Sequence, residues 1–301
     1  MELVYKPKIT LFYNDIDKTA QMPFINITIN DYAKGQADNC NITLSYNTPE
    51  PRLNDTIKVF CDGVLLGAFY INKIKIKYKQ TYELECVSAN LSRAKQIKNR
   101  TFKESEFLKV AESIAKENGL KFKAQVSKNE LKNYQQNNQS DLAFLSNECD
   151  KLGVNMSIKN DTLILHDANK ENKRLKYELQ ESELIELDYE FIAAVSAGSV
   201  EVTYFDAKEN KDIVIRAGNS EPVKKINSFV KNKQEALTLA NSKLQTQKNA
   251  SFKGSLKVLG RAMNAGALLD IVLENKTLNT QIEKITHSIN ASGFITSVEF
   301  C

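Results

Sequence analysis

Only two histidines, His166 and His287, occur in the 301 residues, so a Ser-His-Asp nucleophile system would have to be built on one of them. Both lie among alternating apolar neighbours in or at the ends of predicted strands. A structural imidazole is the expectation for each. Glu181, Glu183 and Glu186 form an acidic run, and paired carboxylates are the machinery of glycoside hydrolysis. Nothing in their spacing sets two carboxylates across a cleft, so the run reads as a solvated loop. Asp161 and Asp167 fit turn or loop positions. The five cysteines, Cys40, Cys61, Cys86, Cys149 and Cys301, are odd in number and scattered, without a CxxC pair or a histidine at ligand spacing. They read as four small buried hydrophobes and one terminal thiol. With no glycine-rich phosphate loop, HExxH or EF-hand loop, the sequence offers no catalytic residue, no cofactor site and no metal site.

The elements that hold these residues are mostly strands. Period-2 runs appear at Ile9, Leu11 and Tyr13, at Ile25, Ile27 and Ile29, and at Ile57, Val59 and Cys61, which predicts antiparallel β structure up to about residue 98. In Phe69 to Tyr78, Ile71, Ile74, Ile76 and Tyr78 alternate with lysines after a break at Asn72-Lys73, as in a half-buried strand with a bulge. The lysines are then a solvated face. At Thr101 the period shifts to helical: Phe107, Leu108, Ala111, Ile114 and Ala115 follow a Thr101-x-x-Glu104 capping box and stop at Asn118-Gly119. Ser140 caps a second helix, with Leu142, Leu145, Cys149 and Leu152 on one face and Gly153 at its end. Lys159-Asn160-Asp161 then turns a hairpin between Met156–Ile158 and Thr162–Leu165.

Strands return at Val200–Phe205 and Lys211–Ile215 around the turn Asp206 to Asn210. An amphipathic helix over about 232–247 presents Ala236, Leu237, Ala240 and Leu244 to a sheet. The closing strands are Ser255–Val258, Leu269–Leu273, Gln281–Ile289 and Phe294–Phe300. Ile71-Asn72-Lys73-Ile74 recurs as Ile282-Glu283-Lys284-Ile285, each after an Asp-led apolar strand and before one more strand, which points to a duplicated barrel-like fold. The fold class expected is mainly β with an α+β insertion: two related β-barrel-like domains, 1–98 and 171–301, around a small α/β module, 99–170.

Lys+Arg 41 against Asp+Glu 37 leaves a formal charge of +4 spread along the chain, a poor footprint for a nucleic-acid binder. The N-terminal stretch, interrupted by charges and polar residues, fits neither a signal peptide nor a membrane span. The 42% hydrophobic content is enough for one large core or several smaller ones.

Several stretches together resemble the late-control protein D family, the tail hubs of contractile phages, related to the hub half of type VI secretion spike proteins. Asp31 to Asp38, with Gly35 and Asp38 shaping a turn before Ile42-Thr43-Leu44, is similar to that family's strand-turn-strand. Leu66-Gly67-Ala68-Phe69-Tyr70-Ile71 resembles its next turn and strand, and Gln139 to Leu145, with Ser140, Asp141 and Leu145, ending at Leu152-Gly153, is the most distinctive piece. Ile285 to Ser288 and Ser292 to Thr296, with His287 and Gly293, look like its terminal hairpin. The chain departs from the pattern in having no Trp, and in stopping at Cys301 without a spike extension, so the spike is expected to be a separate protein.

The resemblance implies a structural, non-enzymatic hub: a homotrimer with two tube domains per chain, contacting the tail tube protein, the spike protein and other baseplate proteins. It would sit in the virion tail after assembly in the host cytoplasm. A cell-wall-degrading enzyme of the same particle is the competing class, disfavoured by the missing acid/base constellation.

Overall fold

Alternating burial turns the period-2 runs into strands. In the computed structural model, which describes residues 5–91, 94–127, 129, 131–167, 174–193, 198–206, 209–228, 230 and 232–301, the first region forms β1 (Ile9–Tyr13), β2 (Ile16–Asp17), β3 (Phe24–Tyr32), β4 (Asn39–Ser45), β5 (Thr56–Cys61), β6 (Val64–Lys77) and β7 (Thr81–Val87). Next come β8 (Ile97–Glu106), α1 (Phe107–Glu117), β9 (Lys121–Gln125), β10 (Leu131–Ser140), α2 (Asp141–Leu152), β11 (Val154–Lys159) and β12 (Thr162–Asp167). The remainder holds β13 (Lys176–Gln180), β14 (Leu184–Phe191), β15 (Ser199–Asp206), β16 (Lys211–Gly218), β17 (Val223–Asn227), α3 (Lys233–Ala250), β18 (Phe252–Leu259), β19 (Leu268–Leu273), β20 (Lys276–Asn290) and β21 (Gly293–Phe300). The architecture is mainly β with a small helical part.

Among the described residues, thirteen strands join in one sheet, ordered β14-β18-β21-β20-β3-β4-β7-β6-β5-β1-β2, with β19 beside β20 and β13 beside β19. Two separate cores line it. Ile27, Ile29, Ile42, Val59, Phe69 and Ile71 fill one; Leu179, Leu256, Ile271, Ile282, Ile285 and Val298 fill the other. The halves meet where β3 pairs antiparallel with β20, from Lys284↔Tyr32 to Asn290↔Asn26.

Strand order and register repeat between the halves. β3-β4-β7-β6-β5-β1 follows the same path as β14-β18-β21-β20-β19-β13. β6 against β7 slips between Ile71↔Cys86 and Lys73↔Glu85; β20 against β21 slips between Ile282↔Phe300 and Lys284↔Glu299. Each bulge is followed by the same cross-strand ion pair, Lys73–Glu85 at 2.6 Å and Lys284–Glu299 at 2.8 Å. A second bulge also recurs, between Phe24 and Asn26 of β3 and between Leu184 and Glu186 of β14, leaving Ile25 and Ile185 exposed at the same place. The tetrapeptide echo therefore lies in equivalent register positions. One departure is that β1 runs antiparallel to β5, whereas β13 runs parallel to β19.

The middle segment has a core of its own, with Phe107, Val110, Ile114, Phe144, Leu145, Cys149, Leu152, Leu163 and Leu165. Ser140 Oγ accepts from Ala143 N at 3.2 Å and Gly153 ends α2 in the left-handed region at φ 68°, as the capping residues predict. Asn160 and Asp161, both at positive φ, make the β11–β12 hairpin turn. The Thr101 to Glu104 capping box does not exist: these residues continue β8, and α1 starts after Glu106 with no side-chain cap. Pairing with β10 decides this, because Leu131–Ser140, polar enough to read as loop, supplies a strand opposite Ile97–Glu106.

Other departures are local. Ile76 and Tyr78 are exposed, not half-buried. On α3 the inward residues are Ala236, Leu239, Ala240 and Leu244, with Leu237 only half-buried; they pack on β15-β16-β17, where β15 is central. The acidic run is not a loop, since Glu181 and Glu183 form a 3-10 turn and Glu186 lies in β14. Of the turn Asp206 to Asn210, Ala207 and Lys208 lie outside the described residues, as does the expected boundary at 170/171.

Candidate functional site

The β11–β12 hairpin docks on the first half of the sheet through its turn. Ala68 N donates to Asn160 Oδ1 at 2.8 Å and Tyr70 OH to Asp161 Oδ2 at 2.7 Å. Gly35 N donates to Met156 O at 3.3 Å, and Ser88 Oγ to Ile158 O at 3.1 Å. At the centre, Lys159 forms an ion pair with Asp31 and lies 3.8 Å from Asp38, while the other oxygen of Asp31 accepts from Ala265 N at 2.8 Å. Asp31 thus ties β3, the module and the β18–β19 loop together. Burial pushes the Asp38 carboxyl up to about 7 and the Lys159 ammonium down to about 8. The cluster is a half-buried structural joint.

The resemblance positions hold the backbone at such joints. Gly35 adopts φ +78°, which an L side chain rarely adopts, and Asp38 Oδ1 accepts from Tyr32 N at 3.0 Å, bracing the same turn. Gly67 is not in a turn: it lies within β6 beside a bulge, where a Cβ would meet the Phe69 ring at 2.3 Å. The turn before it is Asp62-Gly63, both at positive φ, the Asp-Gly signal of a tight hairpin. Gly293 opens β21 at φ 129°.

Asp141 is the most connected of these residues. Fully buried at the start of α2, it pairs with Lys98 at 2.7 Å and Arg100 at 2.9 Å and accepts from Asn118 and Gln136, each at 2.9 Å. Burial alone would raise its pKa, but Lys98, Asn118, Gln136 and Arg100 outweigh burial and hold the carboxyl below its usual range. A second network joins the module to α3: Lys132 lies 2.8 Å from Glu235 and 3.6 Å from Glu148, and Lys243 2.8 Å from Asp150. Sequence reasoning missed Lys159, Lys132 and Glu235, whose partners lie 103 to 128 residues away.

Among the described residues, neither histidine shows the partners of a nucleophile system. His287 is buried edge-on to Phe294, its Nδ1 3.0 Å from Thr296 Oγ1, and burial pushes its pKa down to about 4. His166 faces Asn155 at 3.4 Å and lines a cavity of about 660 Å³ with Lys123, Lys159 and Asn264. The acidic run is divided among exposed ion pairs, Glu183 with Arg261 and Glu186 with Lys257. Four cysteines are buried and Cys301 is half-buried. Among the described residues, no group of three or more His, Cys, Asp or Glu is placed to hold a metal ion, and no helix is long and apolar enough to cross a membrane.

Residues 79–192 match the family model described as baseplate hub gp41. Over the whole chain the fold is that of phage tail proteins. The prophage MuSo2 43 kDa tail protein from Shewanella oneidensis superimposes with TM-score 0.79 at 12% identity, covering 98% of each chain. A tail protein from Neisseria meningitidis gives 0.79 at 12% identity, over 98% of this chain and 96% of its own. The Escherichia coli c3393 protein, a type VI secretion component structurally similar to T4 tail proteins gp27 and gp5, gives 0.61 at 11%, over 93% of this chain and 73% of its own. No curated protein matches the sequence. Fold and family model together make the chain similar to proteins of the phage tail. Within that class, the segment 79–192 is similar to the baseplate hub family in particular.

Proposed function

We propose that the chain is the hub that joins a sixfold tail tube to a threefold spike, as a closed homotrimer of the late-control protein D kind. Residues 1–98 and 171–301 are its two tube domains, and residues 99–170 are a module projecting from the ring. The observation that carries this is the doubled unit: six strands in one order, with two bulges and one Lys–Glu pair at equivalent places. Three chains with two such units each present six similar surfaces around a threefold axis, as a part between six-fold and three-fold neighbours requires. Its partners are the tail tube protein, the spike and other baseplate proteins, in a virion tail assembled in the host cytoplasm. It works without catalysis or cofactor.

Light scattering on the purified chain, alone and with its spike, tests this. A trimer mass in the mixture is expected, and a strictly monomeric or dimeric species there would overturn the reading. Incubation with peptidoglycan should give no lytic turnover; turnover would make the protein an enzyme of the tail tip.

A further inference from the structure

The doubled unit leaves two strand edges open where its own pattern requires partners. In the chain, the edge of β3 is filled by the stretch Lys284–Asn290 of β20. The counterpart of β3 is β14, last in its sheet, with no partner on its outer edge among the described residues. The counterpart of Lys284–Asn290 is Lys73–Lys79. β6 is paired with β5 only as far as Tyr70, and Lys73–Lys77 pair with β7 alone.

Exposure marks the same gap. His287 and Ile289 are both 2% exposed under β3, whereas their counterparts Ile76 and Tyr78 are 50% and 72% exposed. On the other open edge Phe191 is 72% exposed. Large apolar side chains standing on an unpaired edge mark a surface made to be covered.

We infer that β14 of one subunit pairs antiparallel with β6 of the next, repeating between chains the β3–β20 junction found within each chain. The two bulges fix the register without adjustment. Asn30↔Thr286 becomes Glu190↔Lys75, and Thr28↔Ser288 becomes Asp188↔Lys77. Asn26↔Asn290 corresponds to Glu186 and Lys79, the latter in the turn just past the end of β6. On the alternate positions Asp31↔Ile285 becomes Phe191↔Ile74, Ile29↔His287 becomes Tyr189↔Ile76, and Ile27↔Ile289 becomes Leu187↔Tyr78. Of the seven pairs carried over, three set opposite charges together, three are apolar, and the first, Lys284↔Tyr32, becomes the mixed pair Lys73↔Ile192 at the end of the junction. A slip of one residue would set lysines against apolar side chains and turn them to the opposite face.

The existing ion pairs accommodate the partner. Lys75 and Lys77 share a single carboxylate, Glu83, while Glu186 and Glu190 each hold one exposed lysine, Lys257 and Lys253. The contact is head-to-tail, so it forms a ring when its rotation closes. It rests on the trimeric hub reading and names the surface that reading needs.

Disulfide scanning tests it in the full chain carrying Cys301→Ser, since the other cysteines are buried. Directly opposed residues in antiparallel strands lie about 4.5 to 5.5 Å apart at Cα, within disulfide reach. Asp188→Cys combined with Lys77→Cys should give, on mild oxidation, covalent species ending at three chains. Asp188→Cys combined with Ile76→Cys, one residue out of register, should lose this product. Lys75→Glu with Lys77→Glu should abolish the trimer mass in light scattering, and adding Asp188→Lys and Glu190→Lys should restore it. A trimer mass without in-register cross-linking overturns this pairing and leaves the hub reading standing. No trimer and no cross-link, with the spike present, overturns both.

Discussion

β3 and β14 hold the same place in two copies of one strand pattern, yet their solvent-facing chemistry differs. Along β3 the alternate residues are Asn26, Thr28 and Asn30, and they meet neutral groups: Thr286 Oγ1 of β20 donates to Asn30 Oδ1 at 2.9 Å, and Asn30 Nδ2 donates to Asn39 Oδ1 of β4 at 2.8 Å. Along β14 the same positions are Glu186, Asp188 and Glu190, and facing them are Lys75 and Lys77 on β6 and Lys79 in the turn that follows it. A junction within one chain is chosen by connectivity and has no rival partner. An edge that must find another chain has rivals, itself included. Like charges placed opposite each other disfavour β14 on β14 and β6 on β6, while β14 on β6 is favoured.

The interiors differ by compensation. Cys40 faces Cys86 in the first unit, and the equivalent pair in the second is Gly254 and Phe300. A Cβ on Gly254 would meet the Phe300 ring at 2.5 Å. Two medium side chains in one copy correspond to none and a large one in the other, which keeps the strands at the same separation.

The equivalence can be broken most strongly in the cores. Ile71→Asp and Ile282→Asp place an unpaired carboxylate at matching, fully buried positions, and each should cost roughly 4 kcal/mol in urea unfolding. Tolerance of one and not the other would end the core equivalence.

Next in size, Asp141→Ala leaves Lys98 and Arg100 facing an empty site. It should destabilise the module by roughly 3 kcal/mol, with amide exchange rising in α1 and α2 and unchanged in β4 and β18. The same carboxylate gives a pH signature. Its folded pKa lies below the unfolded one, so its contribution is complete above about pH 4 and is lost as pH falls through the folded value. Acid titration of wild type and variant should therefore converge at low pH.

Gly254→Ala should cost about 2 kcal/mol by overpacking, and Phe300→Cys in the same chain should recover part of that loss. Simple additivity of the two changes would argue against compensation. The smallest effect concerns the repeated ion pair. Lys73→Met and Lys284→Met should each cost about 0.5 kcal/mol or less in thermal unfolding, with Lys284 the larger because it is less exposed and also lies over the Tyr32 ring at 5.9 Å.

Strand alternation, the caps at Ser140 and Gly153, and the bulge at Asn72-Lys73 were legible in the sequence because local spacing determines them. The start of α1 was not, because β8 exists through pairing with a polar strand, β10, which hydrophobic pattern cannot reveal. The joint at Asp31, Asp38 and Lys159 was equally hidden: charged residues in turns look solvated until a remote segment covers them. The tetrapeptide echo was visible, but the matching of edges appears only when registers are known. Read alone, the lysines of β6 make a solvated face and the glutamates of β14 an acidic loop.

The β3–β20 junction also sets a timetable. Asn30 and Thr286 are 256 residues apart, so on the ribosome β3 waits for its partner while nearly the whole chain is made, roughly 13 to 50 s at bacterial elongation rates. For that interval the Ile27 and Ile29 strand has an unfilled edge, and Asp31 near its end is its one charge to deter a neighbouring nascent chain. The pairing of β3 with β20 is among the least local contacts in the molecule, and yield in the cell should fall as crowding of unfinished chains rises.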